Sequence, residues 1–291
     1  MKPAAFAYHA PASLDEALAL LHEHGSDAKP LAGGQSLIPA MNFRLATPAV
    51  LVDLNRVYEL SGVSLDAAGL QIGAMTRHRA LERSQDVAQA APLVSAAMPF
   101  VAHAAIRTRG TLGGSLAHAD PAAELPAVML ALDASFTLAS RTGTRVVPAT
   151  AFFAGLFTTA MEPGELLVKI TISARAAGSA AAFDEVSRRH GDFALAGAAA
   201  HVVVAADGTC ESARVGLLSL ADRPVLAAEV ARMLEGTRPS RESIREAAEA
   251  SARVDIDPTS DIHASSRYRR QLAAVLIRRV LERAFQSLEH A

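Results

Sequence analysis

Apolar residues recur every three or four positions at Leu14, Ala17, Leu18 and Leu21, behind Ser13 and Glu16 in the S-x-x-E order of a capping box. That spacing predicts an amphipathic helix, and Gly25 closes it. The stretch "KPLAGG" predicts a short strand running into a glycine loop, and "AVLVDL" (49–54) predicts a buried strand. Between them "LIPAMNFRLA" allows only a short helix interrupted at Pro39. The first 57 residues therefore predict a small β-α-β-like unit.

The pattern then changes. "GVSLDAAGLQIGAMT" predicts two short strands around a turn, and 91–105 predicts a helix apolar on most faces. A second glycine loop, "RGTLGGSLAHADPAAELP" (109–126), leads into a helix whose cap and first turn suit Asp120 and Pro121. A hairpin turning at 141–143 and the strand "GELLVKITI" follow. The small, polar "SARAAGSAA" (173–181) predicts a linker. Beyond it lie three strands, "AAFDEVSRR", "ALAGAAAHVVVAADGT" and "CESARVGLLSL", the last two joined by a hairpin turn at Asp207 and Gly208. Helical patterns over 225–234, 240–253 and 268–288 close the chain. The expected domains are 1–175, with lobes of about 1–57 and 58–175, and 176–291.

Composition narrows the function classes. With 291 residues the chain suits one or two domains. A formal net charge of -2 provides no global field for nucleic acid. The mean hydropathy of +0.21 reflects alanine, and the longest weakly apolar run, 193–206, contains His201 and is shorter than the roughly 20 residues a spanning helix needs. The N-terminus has no continuous apolar signal-peptide core. These features predict a protein that is not integral to a membrane, cytoplasmic, with the inner membrane face as a second location. The single Cys210 excludes an internal disulfide and a cysteine-ligated iron-sulfur cluster.

The glycine loops carry the candidate chemistry. At Gly33 and Gly34 the backbone can reach positive φ without the roughly 1–2 kcal/mol penalty of other residues, turning successive N–H groups to one side. Such a concave set binds anions, and Gln35 and Ser36 add side-chain donors. The second loop repeats the chemistry with Gly110, Gly113 and Gly114 interleaved with Thr111 and Ser115, after Arg107 and Arg109. Each hydrogen bond to a charged phosphate oxygen contributes roughly 1.5–3 kcal/mol. Two loops of one kind point to a dinucleotide. Neither matches G-x-G-x-x-G or G-x-x-x-x-G-K-[ST], which disfavours Rossmann and P-loop sites. Asp120 and Glu124 either accept from ribose or ring groups of such a ligand or charge the first turn of a helix.

At "PLAGGQSLIPAMNFRLATPAVLVDLNRV" and "IRTRGTLGGSLAHADPAAELPAVMLALDA" the chain resembles the FAD-binding medium subunit of molybdenum-containing hydroxylases, the xanthine dehydrogenase and aerobic carbon monoxide dehydrogenase family. Fainter matches lie at "LQIGAMTRHRAL", "EVSRRHGDFALAG" and "ASSRYRRQLAAVLIRRVL". The resemblance implies an α+β architecture: a two-lobed FAD-binding domain of the vanillyl-alcohol-oxidase type, then a small C-terminal domain with a three-stranded antiparallel sheet and helices. It implies that Ala32, Gly33, Gly34, Gln35, Ser36 and Leu37, with Thr111, Gly113, Gly114 and Ser115, hold the FAD pyrophosphate and its neighbours, and that Asp120 and Glu124 contact the cofactor. Glu124 stands where the family often has aspartate in "ADLP". Phe193 falls in a segment that in the family nears the isoalloxazine ring, although core packing is the simpler expectation for a phenylalanine.

The implied mechanism is electron relay. A large subunit oxidises substrate at a molybdenum-pterin centre, a small subunit carries two 2Fe-2S clusters, and FAD on this chain passes electrons to NAD or another acceptor, in a heterotrimer or dimer of heterotrimers. No catalytic acid, base or nucleophile and no metal ligand is nominated on this chain. Two other readings stand beside it: a self-contained FAD oxidoreductase of the same fold, and a non-catalytic nucleotide-binding assembly module. Ten histidines show no metal-ligand spacing, with His22 and His24 at a helix end and His103 and His118 flanking the second loop. The arginines at 267, 269, 270, 278, 279 and 283 border a core-facing helix stripe and read as a solvated face or subunit contact, as do Arg188 and Arg189.

Overall fold

The structure is a computed structural model that describes residues 2–289. The first lobe holds β1 (Ala7–His9), α1 (Leu14–His24), β2 (Ala28–Leu31), α2 (Leu37–Asn42) and β3 (Val50–Asp53). Its three strands are parallel in the order β1-β3-β2. Ser13 caps α1 by accepting from the Glu16 N–H at 3.2 Å, and Glu16 reaches back to the Ala12 N–H at 2.8 Å. Pro39 does not interrupt α2: it lies in the first turn, where its missing N–H has no helical partner to lose.

The second lobe opens with β4 (Val63–Asp66) and β5 (Gly69–Gly73), then α3 (His78–Arg83), α4 (Gln85–Ala90), α5 (Pro92–Ala97), α6 (Ala104–Arg107), α7 (Leu112–His118) and α8 (Glu124–Ala131). It continues through β6 (Ser135–Ser140), β7 (Gly143–Pro148), α9 (Ala149–Phe152), β8 (Phe153–Gly155), β9 (Thr158–Thr159) and β10 (Leu166–Ser173). Five strands form an antiparallel sheet in the order β4-β5-β10-β6-β7. The helix expected over 91–105 is two helices. The chain turns between them, with Ala102 at φ 44°, because the buried Arg107 guanidinium takes the Val101 and Ala102 carbonyls at 2.9 and 3.0 Å while Glu82 neutralises it.

The expected linker is shorter than its composition suggests: β10 runs to Ser173 and β11 (Ser179–Ser187) begins at Ser179. Then come β12 (Ala194–Val204), β13 (Cys210–Leu218), β14 (Val225–Leu226), α10 (Ala228–Leu234), α11 (Arg241–Val254) and α12 (Ser266–Glu289). The sheet has four strands, not three, since Val225 and Leu226 pair with β13 and the helix expected from 225 starts at Ala228. Helices α10 to α12 cover one face around Val202, Val215, Leu276 and Ile277. The second lobe covers the other, and α8, buried along its whole length, lies against β13. A Cβ on Gly216 would collide with the Ala127 carbonyl. Gly216→Ala is therefore expected to lower stability by about 1–3 kcal/mol, read as a fall in thermal midpoint; an unchanged midpoint would mean α8 sits further from the sheet.

Candidate cofactor site

The two glycine loops meet backbone to backbone. Gly33 is buried, and a Cβ there would strike the Arg109 carbonyl and lie 2.8 Å from the Gly110 Cα. Gly114 faces the same junction: a Cβ on it would come within 2.6 Å of Thr111 Oγ1 and 3.3 Å of the Ala32 Cβ. Only Gly34, at φ +72°, uses the left-handed region expected of both glycines in the first loop. Gly33 is required for closeness instead. Gly113 is likewise small because a Cβ would stand 2.5 Å from the Ala74 Cβ.

The two loops differ in what they leave free. Among the described residues, the backbone N–H groups of Gly33, Gly34, Gln35, Ser36 and Leu37 donate to no protein acceptor, while the Gly34 and Ser36 carbonyls accept from Ile38 and Ala40 at 3.1 Å. Five successive backbone donors without a protein acceptor are available to an anion. One hydrogen of the Gln35 amide is engaged within the loop, where Nε2 donates to the Gly33 carbonyl at 3.0 Å, and the amide keeps a second N–H. In the second loop Thr111 Oγ1 accepts from the Gly114 N–H at 3.1 Å, capping α7. Its glycines serve packing, and Ser115 keeps an unengaged hydroxyl.

Polar residues behind the loops join them. Arg77 donates to the Arg109 carbonyl and to Asn55 Oδ1. Asn55 Nδ2 in turn donates to the Ala32 carbonyl at 3.1 Å and to Asp53. The segment 74–78 also pairs with the second loop through His78 N–H to the Gly110 carbonyl and Leu112 N–H to the Thr76 carbonyl, both at 3.0 Å. Burial, and then the neighbouring Arg109, lower the Arg77 pKa. Burial also pushes His78 down to about 4, so it is a neutral packing residue; the Thr111 backbone opposes that shift without a well-formed hydrogen bond to the ring. Sequence reading missed Asn55 and Arg77. Their signal was position: Asn55 is a polar residue just past the buried strand β3, and Arg77 stands directly before α3.

Asp120 lies just past the far end of α7, a helix about 10 Å long at the usual helical rise, and Glu124 follows the turn as the first residue of α8. Asp120 does not cap α8. Its carboxylate accepts from the Ala122 N–H at 2.9 Å and shapes the turn, and α8 begins at Glu124 behind Ala123. Glu124 is buried, and burial, reinforced by Asp120, raises its carboxyl to about 7. His118 stacks against Phe157 at 5.1 Å between ring centroids, and burial lowers its pKa. A ligand touching both the loops and Asp120 must be elongated.

Phe193 is not a core residue. It is 71% exposed, because it follows the turn of Gly191 (φ +83°) out of the body of the domain and borders a cleft of about 400 Å³ with Pro121 and Ala122. Arg269 departs from the solvated face expected for its helix: it is buried, donating to the Leu195 carbonyl and to Asp261. Arg279 and Arg283 pair with Asp184, and Arg188 and Arg189 with Asp192. Among the described residues no group of three His, Cys, Asp or Glu is placed to hold a metal ion, and no helix is long and apolar enough to cross a membrane.

Comparison with known proteins covers nearly the whole chain. The family described as FAD binding domain in molybdopterin dehydrogenase matches residues 4–174, and that described as CO dehydrogenase flavoprotein C-terminal domain matches 181–284. The chain is 43% identical to the 6-hydroxypseudooxynicotine dehydrogenase complex subunit alpha of Paenarthrobacter nicotinovorans, over 98% of this chain and 96% of that protein. It is 40% identical to the carbon monoxide dehydrogenase medium chain of Afipia carboxidovorans, over 98% of each. Its fold superposes with a TM-score of 0.95 on a chain of the carbon monoxide dehydrogenase from Hydrogenophaga pseudoflava, at 38% identity over 98% of this chain and 99% of that one.

Proposed function

This chain belongs to the family of FAD-binding subunits of molybdopterin dehydrogenases, and from that premise we propose that its two glycine loops hold the pyrophosphate of FAD. The observation that carries the reading is the row of five free N–H groups from Gly33 to Leu37, set where the two loops touch. Ala32, Thr111, Gly113, Gly114 and Ser115 build the walls of that site. Asp120 and Glu124, beyond α7, lie where the remainder of an elongated dinucleotide would reach.

The bound FAD supplies the exchange of electrons, and the protein positions and tunes it. We place the chain as an electron relay within a larger oxidoreductase. A cysteine-ligated 2Fe-2S cluster takes four thiolates, and Cys210 is the one cysteine in the sequence. The clusters and the molybdenum-pterin centre then belong to separate small and large subunits, and the assembly is a heterotrimer or its dimer, in the cytoplasm. Electrons leave FAD for NAD or another acceptor. The two relatives above are named for different substrates, which is expected if substrate is oxidised on another chain.

Reconstitution tests the site. The purified chain is expected to take up FAD stoichiometrically and turn yellow, while Gly34→Val loses it and keeps its far-ultraviolet circular dichroism. A β-branched residue at φ +72° is strained, and its Cβ would press on Ile38 and Leu31 at 3.2 and 3.3 Å. A colourless wild type, or a variant that retains stoichiometric FAD, overturns the assignment.

A further inference from the structure

Strand β10 carries a bulge at Val168, where its register with β6 shifts between Leu167 and Lys169. Leu167 and Ile170 enter the core of the second lobe, whereas Leu166 and Val168 pack toward the first. The extra residue therefore leaves Val168 and Lys169 together on the face turned to the first lobe. Lys169 stands between Gly73 of β5 and Thr137 of β6. Gln71, two residues before Gly73, and its cross-strand partner Ser64 share that face.

The chain at 59–64 closes in on the same face. A Cβ on Gly73 would strike the Leu60 carbonyl, which accepts from the Met75 N–H at 2.8 Å, and the Gly62 N–H donates to Thr76 Oγ1 at 3.0 Å. Between this wall, the start of α1 and the sheet lies a cleft of about 500 Å³, within the roughly 300–1,000 Å³ of small-molecule sites. Leu14, Leu60 and Val168 form its apolar side, and Lys169, Gln71 and Thr137 its polar floor. No residue of either glycine loop lines it.

Lys169 is one of three lysines in the sequence, and unlike Lys2 and Lys29 it is half-buried. Its Nζ donates to Gln71 Oε1 at 3.2 Å, and among the described residues it forms no ion pair. The acids at the edge of the cleft are engaged elsewhere. Glu59 accepts from the Leu14 N–H at 2.6 Å, and Asp66 accepts from the Ala68 N–H at 2.8 Å and from Gln71 Nε2 at 3.3 Å. That last contact fixes the Gln71 amide with its oxygen toward Lys169. An ammonium has three donors and the amide takes one, so two are left. Ser61, Ser64 and Thr137 line the same cleft, and among the described residues their hydroxyls bond to no protein group.

We propose that this cleft is a second ligand site, which takes a small organic carboxylate with its charged end on Lys169 and its apolar body against Leu14, Leu60 and Val168. A half-buried cation held only by a neutral amide gains from an anionic partner, because hydrogen bonds between charged groups are about twice as strong as neutral ones. A neutral ligand leaves that charge unmatched, and a bare phosphate leaves the apolar side uncovered. Glu59 is exposed on the rim, where water and salt screen its charge from the bound anion. The site adjoins the cofactor site without sharing a residue with it, since Met75 and Thr76, which hold the cleft wall, belong to the segment that pairs with the second glycine loop.

Benzoate, its neutral counterpart benzamide and inorganic phosphate are the probes, titrated at constant ionic strength into the full chain carrying lysine labelled with carbon-13 at Cε. Three lysines give three signals, and that of Lys169 is the one lost in Lys169→Met. Benzoate is expected to shift this signal saturably, benzamide and phosphate far more weakly. Saturation transfer to benzoate should show its affinity falling roughly tenfold or more in Lys169→Met, the loss of one hydrogen bond to a charged group. Gln71→Glu keeps Lys169 and gives it an internal counter-ion of the same shape, so the benzoate shift should be largely lost while the far-ultraviolet circular dichroism stays as in wild type. No saturable shift, equal affinity for benzamide or phosphate, or undiminished benzoate binding in a folded Gln71→Glu overturns the proposal. The readout is local to Lys169, so its result stands whether or not FAD binds at the glycine loops.

Discussion

Gly33→Ala is expected to strip most FAD from the protein and to lower its thermal midpoint by a few degrees. The added methyl group has nowhere to go: it would enter the Arg109 carbonyl and stand 2.8 Å from the Gly110 Cα. Both obstacles are backbone, so no flexible side-chain end can swing aside. Overpacking of this kind costs about 1–3 kcal/mol, and each kcal/mol shifts the midpoint of a chain this size by about 2–4 °C. The larger effect is on the cofactor, because separating the loops shifts the segment that carries the free N–H groups of 33–37. Flavin-to-protein absorbance and a melting curve read both effects. Gly155→Ala is the control, since its nearest neighbour, Asp222 Oδ2, would lie 3.7 Å from the new Cβ. Full FAD occupancy in Gly33→Ala would show that the loops do not approach this closely.

That prediction could not have been framed from sequence. Two adjacent glycines between a strand and a helix marked the first loop, and the second loop marked it again. Yet a glycine needed for positive φ and one needed for close approach look identical in a sequence. Gly33 is told apart from Gly34 only by Arg109 and Gly110, more than 70 positions away. The other misreadings have the same origin. Periodicity predicted one helix over 91–105, because it does not register that Arg107 would draw in the carbonyls of Val101 and Ala102. Val225 and Leu226 fit a helical stripe until the free edge of β13 claims them. Phe193 satisfies every composition rule for a core residue and is carried outward by a turn at Gly191. Local periodicity located the elements; contacts between residues distant in the chain decided how the site is braced.

The brace itself gives the second large expected effect. Arg77→Met should release FAD while leaving the global fold intact, because the side chain joins both loops and little else. One guanidinium donates to the Arg109 carbonyl of the second loop and to Asn55, whose amide donates to the Ala32 carbonyl of the first at 3.1 Å. Methionine keeps the apolar stem and removes every donor. Hydrogen bonds to charged groups contribute about 1.5–3 kcal/mol each, so the loops lose their main polar link as well as a positive charge beside the anion cradle. Lysine restores the charge but not the fork that spans two acceptors. Arg77→Lys should therefore recover part of the FAD affinity, more at low salt than at high. Asn55→Ala cuts the same link from the other side, so the double variant should be little worse than either single one, as expected for residues acting in one network. Equilibrium FAD titration of the three single variants and the double measures this directly. Wild-type affinity in Arg77→Met, or strictly additive losses in the double variant, would mean that each loop holds its shape independently and that the contact at Gly33 alone keeps them together.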